Sequence, residues 1–275
     1  MKKLTHSSNT LYGAPWLMEA GWFNLVCDIF DSHLAGKVPV QVEKSNRIPV
    51  PAPSGGSVAV VGVYGPILPR AALMNNMSSG GISSEQIATA MTEASQMPDV
   101  RTIVMDIDSP GGSTLGAFEA ADVIRSIARD SGVEVIASIN GLGASLGYLL
   151  ASQANHVFAS RGSRVGSIGV VAAYQEKTEP GVTRSITVAI PHGKSPHNMD
   201  DKEITGKLMA DAVQYFSMFK DAVTQARGEK IKIDAAATGE VFFADTAKAH
   251  GLIDGIATLQ ELLDDLNNRV DNKPR

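Results

Sequence analysis

Gly141-Leu142-Gly143-Ala144-Ser145-Leu146-Gly147-Tyr148-Leu149-Leu150-Ala151-Ser152 decides how the rest of the chain is read. Ahead of it, Val133-Glu134-Val135-Ile136-Ala137-Ser138-Ile139 is β-branched and nearly alternating, the pattern of a buried strand. Behind it, the residues from Tyr148 to Ala154 predict the start of a helix. Ser145 therefore stands where a strand becomes a helix, fenced by glycines that permit a tight turn and the close approach of another molecule. The first amides of a helix favour negative charge. Two roles fit a hydroxyl at such a place: a nucleophile beside a ready-made oxyanion site, or a side-chain cap on the helix.

The same arrangement occurs once more upstream. Thr102-Ile103-Val104-Met105-Asp106-Ile107 predicts a strand, Asp108-Ser109-Pro110-Gly111-Gly112-Ser113 a glycine turn, and Leu115, Phe118, Ala121, Ile124 and Ile127 the inward face of a helix that Asp130-Ser131-Gly132 ends. Strand, glycine turn and helix in succession predict an α/β fold with a mainly parallel sheet and right-handed crossovers. Ligands then belong at the carboxyl ends of the strands, where both glycine turns lie.

Further out, Val58 to Tyr64 predicts a strand, and Ser83 or Ser84 caps a helix reaching about Gln96. Ala154 to Ala159 and Ser185 to Ile190 predict short strands. Asp200 or Asp201 opens a long helix that ends at Gly228, and shorter helices follow over 244–250 and 258–268. Toward the N-terminus, Pro15 and the apolar spacing from Trp16 to Leu34 predict a helix over 15–35. Residues 36–57, with Pro39, Pro49, Pro51, Pro53, Gly55 and Gly56, have the composition of a linker. The expected organisation is an N-terminal helical arm with its linker over 1–56, a main domain over 57–268 and a polar tail over 269–275.

Composition narrows the function. With 44% hydrophobic and 19% charged residues the chain is globular rather than disordered. A formal net charge of −5 argues against nucleic acid as the main partner. Cys27 is the only cysteine, which excludes an internal disulfide and a multi-cysteine metal site and fits the cytoplasm. No apolar core follows Lys2 and Lys3, and no run approaches eighteen apolar residues, so neither a signal peptide nor a membrane anchor is expected. No cofactor and no metal is called for.

Asp108-Ser109-Pro110-Gly111-Gly112-Ser113, Gly143 to Ser152, Gly166-Ser167-Ile168-Gly169-Val170, and Val241-Phe242 with Ala247-Lys248-Ala249-His250-Gly251-Leu252-Ile253-Asp254 together resemble the signal peptide peptidase A family of serine peptidases. Order and spacing match from about 57 to 257, and the likeness is nearest to the capsid assembly proteases of tailed phages. The resemblance implies a ClpP/crotonase-like fold and a serine endopeptidase with a Ser-Lys dyad. It further implies polypeptide substrates such as scaffold and capsid proteins, and assembly into homo-oligomers, in the host cytoplasm or the phage prohead. Ser145 matches the nucleophile, and Gly112 and Leu146 match the backbone donors of the oxyanion hole.

The base departs from the family pattern. Gly-x-x-Lys is expected after the Ile186–Ile190 run, but that lysine position holds Pro196. Counted from Thr187, Lys194 falls within one residue of the expected place, and it is the only lysine in its loop. Two alternatives follow. A chain with the dyad broken would serve as a silent assembly or scaffold partner. Gly143-Ala144-Ser145-Leu146-Gly147 also fits the elbow of an α/β-hydrolase esterase, which would take its histidine from His250. A ClpP-type triad needs a histidine near 168–171, where none stands; His156 reads as structural, and His192 and His197 flank the lysine.

Overall fold

The computed structural model describes residues 15–23, 25–26, 52–54, 58–68, 81–179, 182–190 and 202–271. Cys27, His192, Lys194, His197, most of the proline-rich segment and residues 272–275 lie outside the described residues.

Strands β1 to β5 are Pro15–Met18, Ala52–Ser54, Val58–Tyr64, Ile67–Leu68 and Ile82–Ser83. Helix α1 (Ser84–Gln96) precedes β6 (Thr102–Ser109) and β7 (Gly111–Ser113). Helix α2 (Ala117–Asp130) leads to β8 (Glu134–Ala144), α3 (Leu146–Ser152), β9 (His156–Ala159) and β10 (Arg164–Gly166). The hairpin β11 (Val170–Glu179) and β12 (Val182–Ile190) follows, then the long α4 (Lys202–Arg227). The chain continues through α5 (Ile233–Ala236), β13 (Val241–Phe243), α6 (Ala244–Ala249), β14 (Gly255–Ile256) and α7 (Leu259–Asp271).

The larger sheet has the order β13-β10-β8-β6-β3-β2, with β3, β6 and β8 parallel at its centre. β8 pairs with β9 along its first half and with β10 along its second, so its carboxyl end has its own partner. Alternation along the strands supplies two apolar faces. Ile103, Met105 and Ile107 of β6 and Val135, Ala137 and Ile139 of β8 join the main core with α1 to α4. Val104 and Ile136, on the other face, meet Leu262 and Leu266 of α7. Helix α1 starts as its sequence dictates: the Ser83 hydroxyl accepts from the Gln86 amide, and the Gln86 side chain accepts from the Ser83 amide. Leu115, expected on the inward face of α2, precedes the helix and is exposed.

The smaller sheet has the order β12-β11-β1-β7-β4-β5, and here the sequence reading is corrected. Residues 15–18 are not the start of a helix. They form β1, antiparallel to both β7 and β11, with Trp16, Leu17 and Met18 buried. Helical residues begin only at 20. A short strand covered on both faces carries no period of two, and Pro15 suits the first residue of a strand as well as the first turn of a helix. β2 likewise pairs with β3 although it falls within the expected linker, and α7 runs to Asp271, past the expected start of the tail.

Candidate active site

β8 delivers Ser145. Ile107 pairs with Ile139 and Ser109 with Gly143, so two residues of β6 span four of β8, and the bulge carries Gly141 at φ 115°. Bulges of this kind re-aim a strand end. The Asp108 carboxylate accepts from the Leu142 amide at 2.9 Å and fixes the detour.

Ser145 itself has φ 54° and ψ −116°, a conformation that costs a non-glycine residue on the order of 1–3 kcal/mol. The surroundings impose it. The Ser145 amide donates to the Gly166 carbonyl at 2.8 Å, and the Ser145 carbonyl accepts from the Leu149 amide at 2.8 Å, opening α3. The hydroxyl makes no bond to the helix start, so the capping role is not the one it plays. It donates instead to the Gly169 carbonyl at 3.4 Å. All seven residues of α3 are buried, which leaves the helix little freedom to reorient.

The second glycine turn packs against this one backbone to backbone. Gly111 has φ 98°, and a Cβ there would lie 2.2 Å from the Leu17 carbonyl oxygen and 2.9 Å from the Leu146 nitrogen. A Cβ on Gly112 would lie 1.8 Å from the Ile67 carbonyl oxygen, and one on Gly147 would lie 3.1 Å from the Ser109 carbonyl oxygen. At Gly111 and Gly112 only glycine admits such approaches, and at Gly147 a Cβ would crowd the Ser109 carbonyl. The Ser109 hydroxyl accepts from the Gly111 amide at 3.2 Å and donates to the Gly65 carbonyl at 2.7 Å, locking the turn. Gly111 is thus held against the first amide of α3, that of Leu146, which follows Ser145.

A third turn, Gly166 to Gly169, brackets Ser145 from the other side, accepting its amide and its hydroxyl. The sequence marks these two glycines only through the Gly166-Ser167-Ile168-Gly169-Val170 motif, within which Ser167 has φ 53°. The strand that precedes Lys194 also ends here, because Ile190 is the partner of Val170, the residue after Gly169.

The two described histidines make their contacts away from Ser145. His250 stands edge-on to Phe242, ring centres 4.7 Å apart, and among the described residues no hydrogen bond joins it to Ser145. His156 faces Glu134 at 3.7 Å. A groove of about 320 Å³ between α7 and strands β8 and β9 includes His156, Ile136 and Leu262, and contains neither Ser145 nor either glycine turn. Among the described residues no cluster of three metal-ligating side chains occurs, and no helix is long and apolar enough to cross a membrane.

The model of peptidase family S49 matches residues 127–179 and 194–273, the first segment containing Ser145 and the second opening at Lys194. The chain belongs to peptidase family S49. Among similar proteins, Protease 4 of Salmonella typhi is 29% identical over 225 residues, 77% of this chain and 34% of that protein. Capsid assembly protease C of Escherichia phage lambda is 26% identical over 222 residues, 78% of this chain and 49% of the phage protein. Head-tail preconnector protein GP5 of Enterobacteria phage P21 is 28% identical over 215 residues, 78% of this chain and 41% of that protein. The chain therefore spans between a third and a half of the length of these relatives.

Proposed function

We propose that the chain is a serine endopeptidase in which Ser145 is the nucleophile, Lys194 the general base, and the amides of Gly112 and Leu146 the oxyanion hole. One observation carries the reading: a buried serine at a strained strand-to-helix turn keeps its hydroxyl out of helix capping while two glycine turns close on it. Strain of this kind persists where the surroundings over-determine it and is concentrated at functional sites. Lys194, deprotonated, takes the Ser145 proton as Oγ attacks the scissile carbonyl. The ammonium then protonates the leaving amine, and water releases the acyl group by the same route. Losing one oxyanion donor typically costs about 10²–10³ in rate. A lysine serves as base only when desolvation or a positive neighbour brings its pKa down from about 10.4.

Membership of S49 and the likeness to capsid assembly protease C and the P21 preconnector protein support a place in phage or prophage head maturation. On this reading the substrates are scaffold or capsid polypeptides and the chain itself. The fold is of the ClpP/crotonase type, the working form a homo-oligomer, and the compartment the host cytoplasm or the prohead. The displaced lysine favours one second reading, a catalytically silent assembly partner. Labelling with a fluorophosphonate separates the two: a dyad enzyme is labelled at Ser145 and loses that labelling in Lys194→Ala, whereas a silent partner is not labelled at Ser145 at all.

A further inference from the structure

Both supports of Ser145 lead to a single segment near the C-terminus. On the turn side, the Gly166 carbonyl that holds the Ser145 amide belongs to a backbone with φ 130° at Gly166 and φ 53° at Ser167. Such a turn does not hold itself. The Ser167 amide donates to the Glu240 carbonyl at 2.5 Å, and β13 pairs with β10 in the register Val241 to Gly166 and Phe242 to Val165. A Cβ on Gly166 would lie 2.8 Å from the Glu240 carbonyl oxygen and 3.2 Å from Cδ2 of Phe242, so the ring rests against the turn. His250 packs against that ring, edge-on.

On the helix side, Tyr148 is the third residue of α3 and wholly buried, and its hydroxyl donates to the Leu252 carbonyl at 2.8 Å. Burial pushes the phenol well above its ordinary value, so it remains a donor throughout the working range. The accepting turn is itself clamped. Arg227 donates from Nε and Nη2 to the Gly251 carbonyl, each at 3.1 Å, and from Nη1 to Asp254 at 2.8 Å, while the Asp254 amide donates to the Val157 carbonyl at 2.7 Å.

We propose that Phe242 and Tyr148 are positioning residues for Ser145, through which the segment from Glu240 to Asp254 fixes the nucleophile from its turn side and its helix side together. The inference rests on Ser145 being the nucleophile. Neither side chain acts on the reacting atoms; each sets where Oγ points. Misplacement of a reacting group by about 1 Å costs roughly 10²-fold in rate, so a loosened brace shows in the chemical step before it shows in binding.

The test uses the full chain and three variants: Phe242→Leu, Tyr148→Phe, and Leu266→Ala in the separate core under α7. Each is assayed at a temperature where circular dichroism shows it folded. Read-outs are the rate of fluorophosphonate labelling at Ser145 and the split between kcat and KM on a peptide. Phe242→Leu and Tyr148→Phe should label about tenfold or more slowly, with kcat reduced and KM held within about twofold. Leu266→Ala should lower the melting temperature yet label at the wild-type rate. Wild-type labelling rates in both brace variants, or equal slowing in Leu266→Ala, overturn the inference while leaving Ser145 as nucleophile. A wild-type chain that is not labelled at Ser145 overturns the nucleophile and the brace together.

Discussion

Ile190 lies opposite Val170 in the β11–β12 ladder, one residue past Gly169, whose carbonyl accepts the Ser145 hydroxyl. The polypeptide that carries Lys194 therefore leaves its strand beside Ser145, and four residues of chain reach at most about 14 Å. Lys194→Ala should remove activity to nearly the extent that loss of the serine does, because members of a dyad act as a unit. Lys194→Arg should not restore it, since a guanidinium keeps its proton. Wild-type activity should rise through one titration between neutral and alkaline pH. Cleavage rates of the two variants across that range check the assignment; full activity in Lys194→Ala would move the base to another residue.

β1 holds the Ser-Pro-Gly-Gly turn in place, since the Leu17 carbonyl presses on Gly111 and Leu17 is buried in the main core. Leu17→Ala should cost about 2–5 kcal/mol of stability in urea denaturation. A variant as stable as the wild type would show that β1 is dispensable to the fold.

Asp254 makes stability depend on acid. Burial opposes its ionisation, but hydrogen bonds from Arg227, Lys230 and the Val157 amide outweigh that and hold the carboxyl well below the usual range. A depressed folded-state pKa stabilises fully above the unfolded value, near 4, and the contribution fades as pH falls toward the folded value. Asp254→Asn should therefore unfold at lower urea than wild type at pH 7, and the gap should narrow below pH 4. Arg227→Ala, which removes the guanidinium bonds to Asp254 and to the Gly251 carbonyl but leaves Lys230 and the Val157 amide on the carboxylate, should cost about 1.5–3 kcal/mol at pH 7. A gap that stays constant from pH 7 to pH 3 would contradict the clamp.

Much of this was legible because local signals agreed. The β-branched runs of β3, β6 and β8, the Ser83 cap with Gln86, and the apolar spacing of α4 each point to the element that forms. The glycines around Ser145 foretold a special backbone, and the residue at φ 54° is there. What was hidden depends on distant partners. β1 is defined by β7 and β11, far along the chain, and its side chains are buried on both faces, so no period marks it. Tyr148, Gly166 and Phe242 read as ordinary core or motif residues, because their contacts, Tyr148 with Leu252, Gly166 with Ser145 and Phe242 with Gly166, join segments far apart in sequence.

The proposed chemistry rests on Ser145. Incubating wild type and Ser145→Ala with an unfolded polypeptide and following new amino termini by mass spectrometry tests it most directly. The wild type should cleave, and Ser145→Ala, with the same circular dichroism spectrum, should not cleave at all. Cleavage by Ser145→Ala at the wild-type rate and at the same bonds would contradict it.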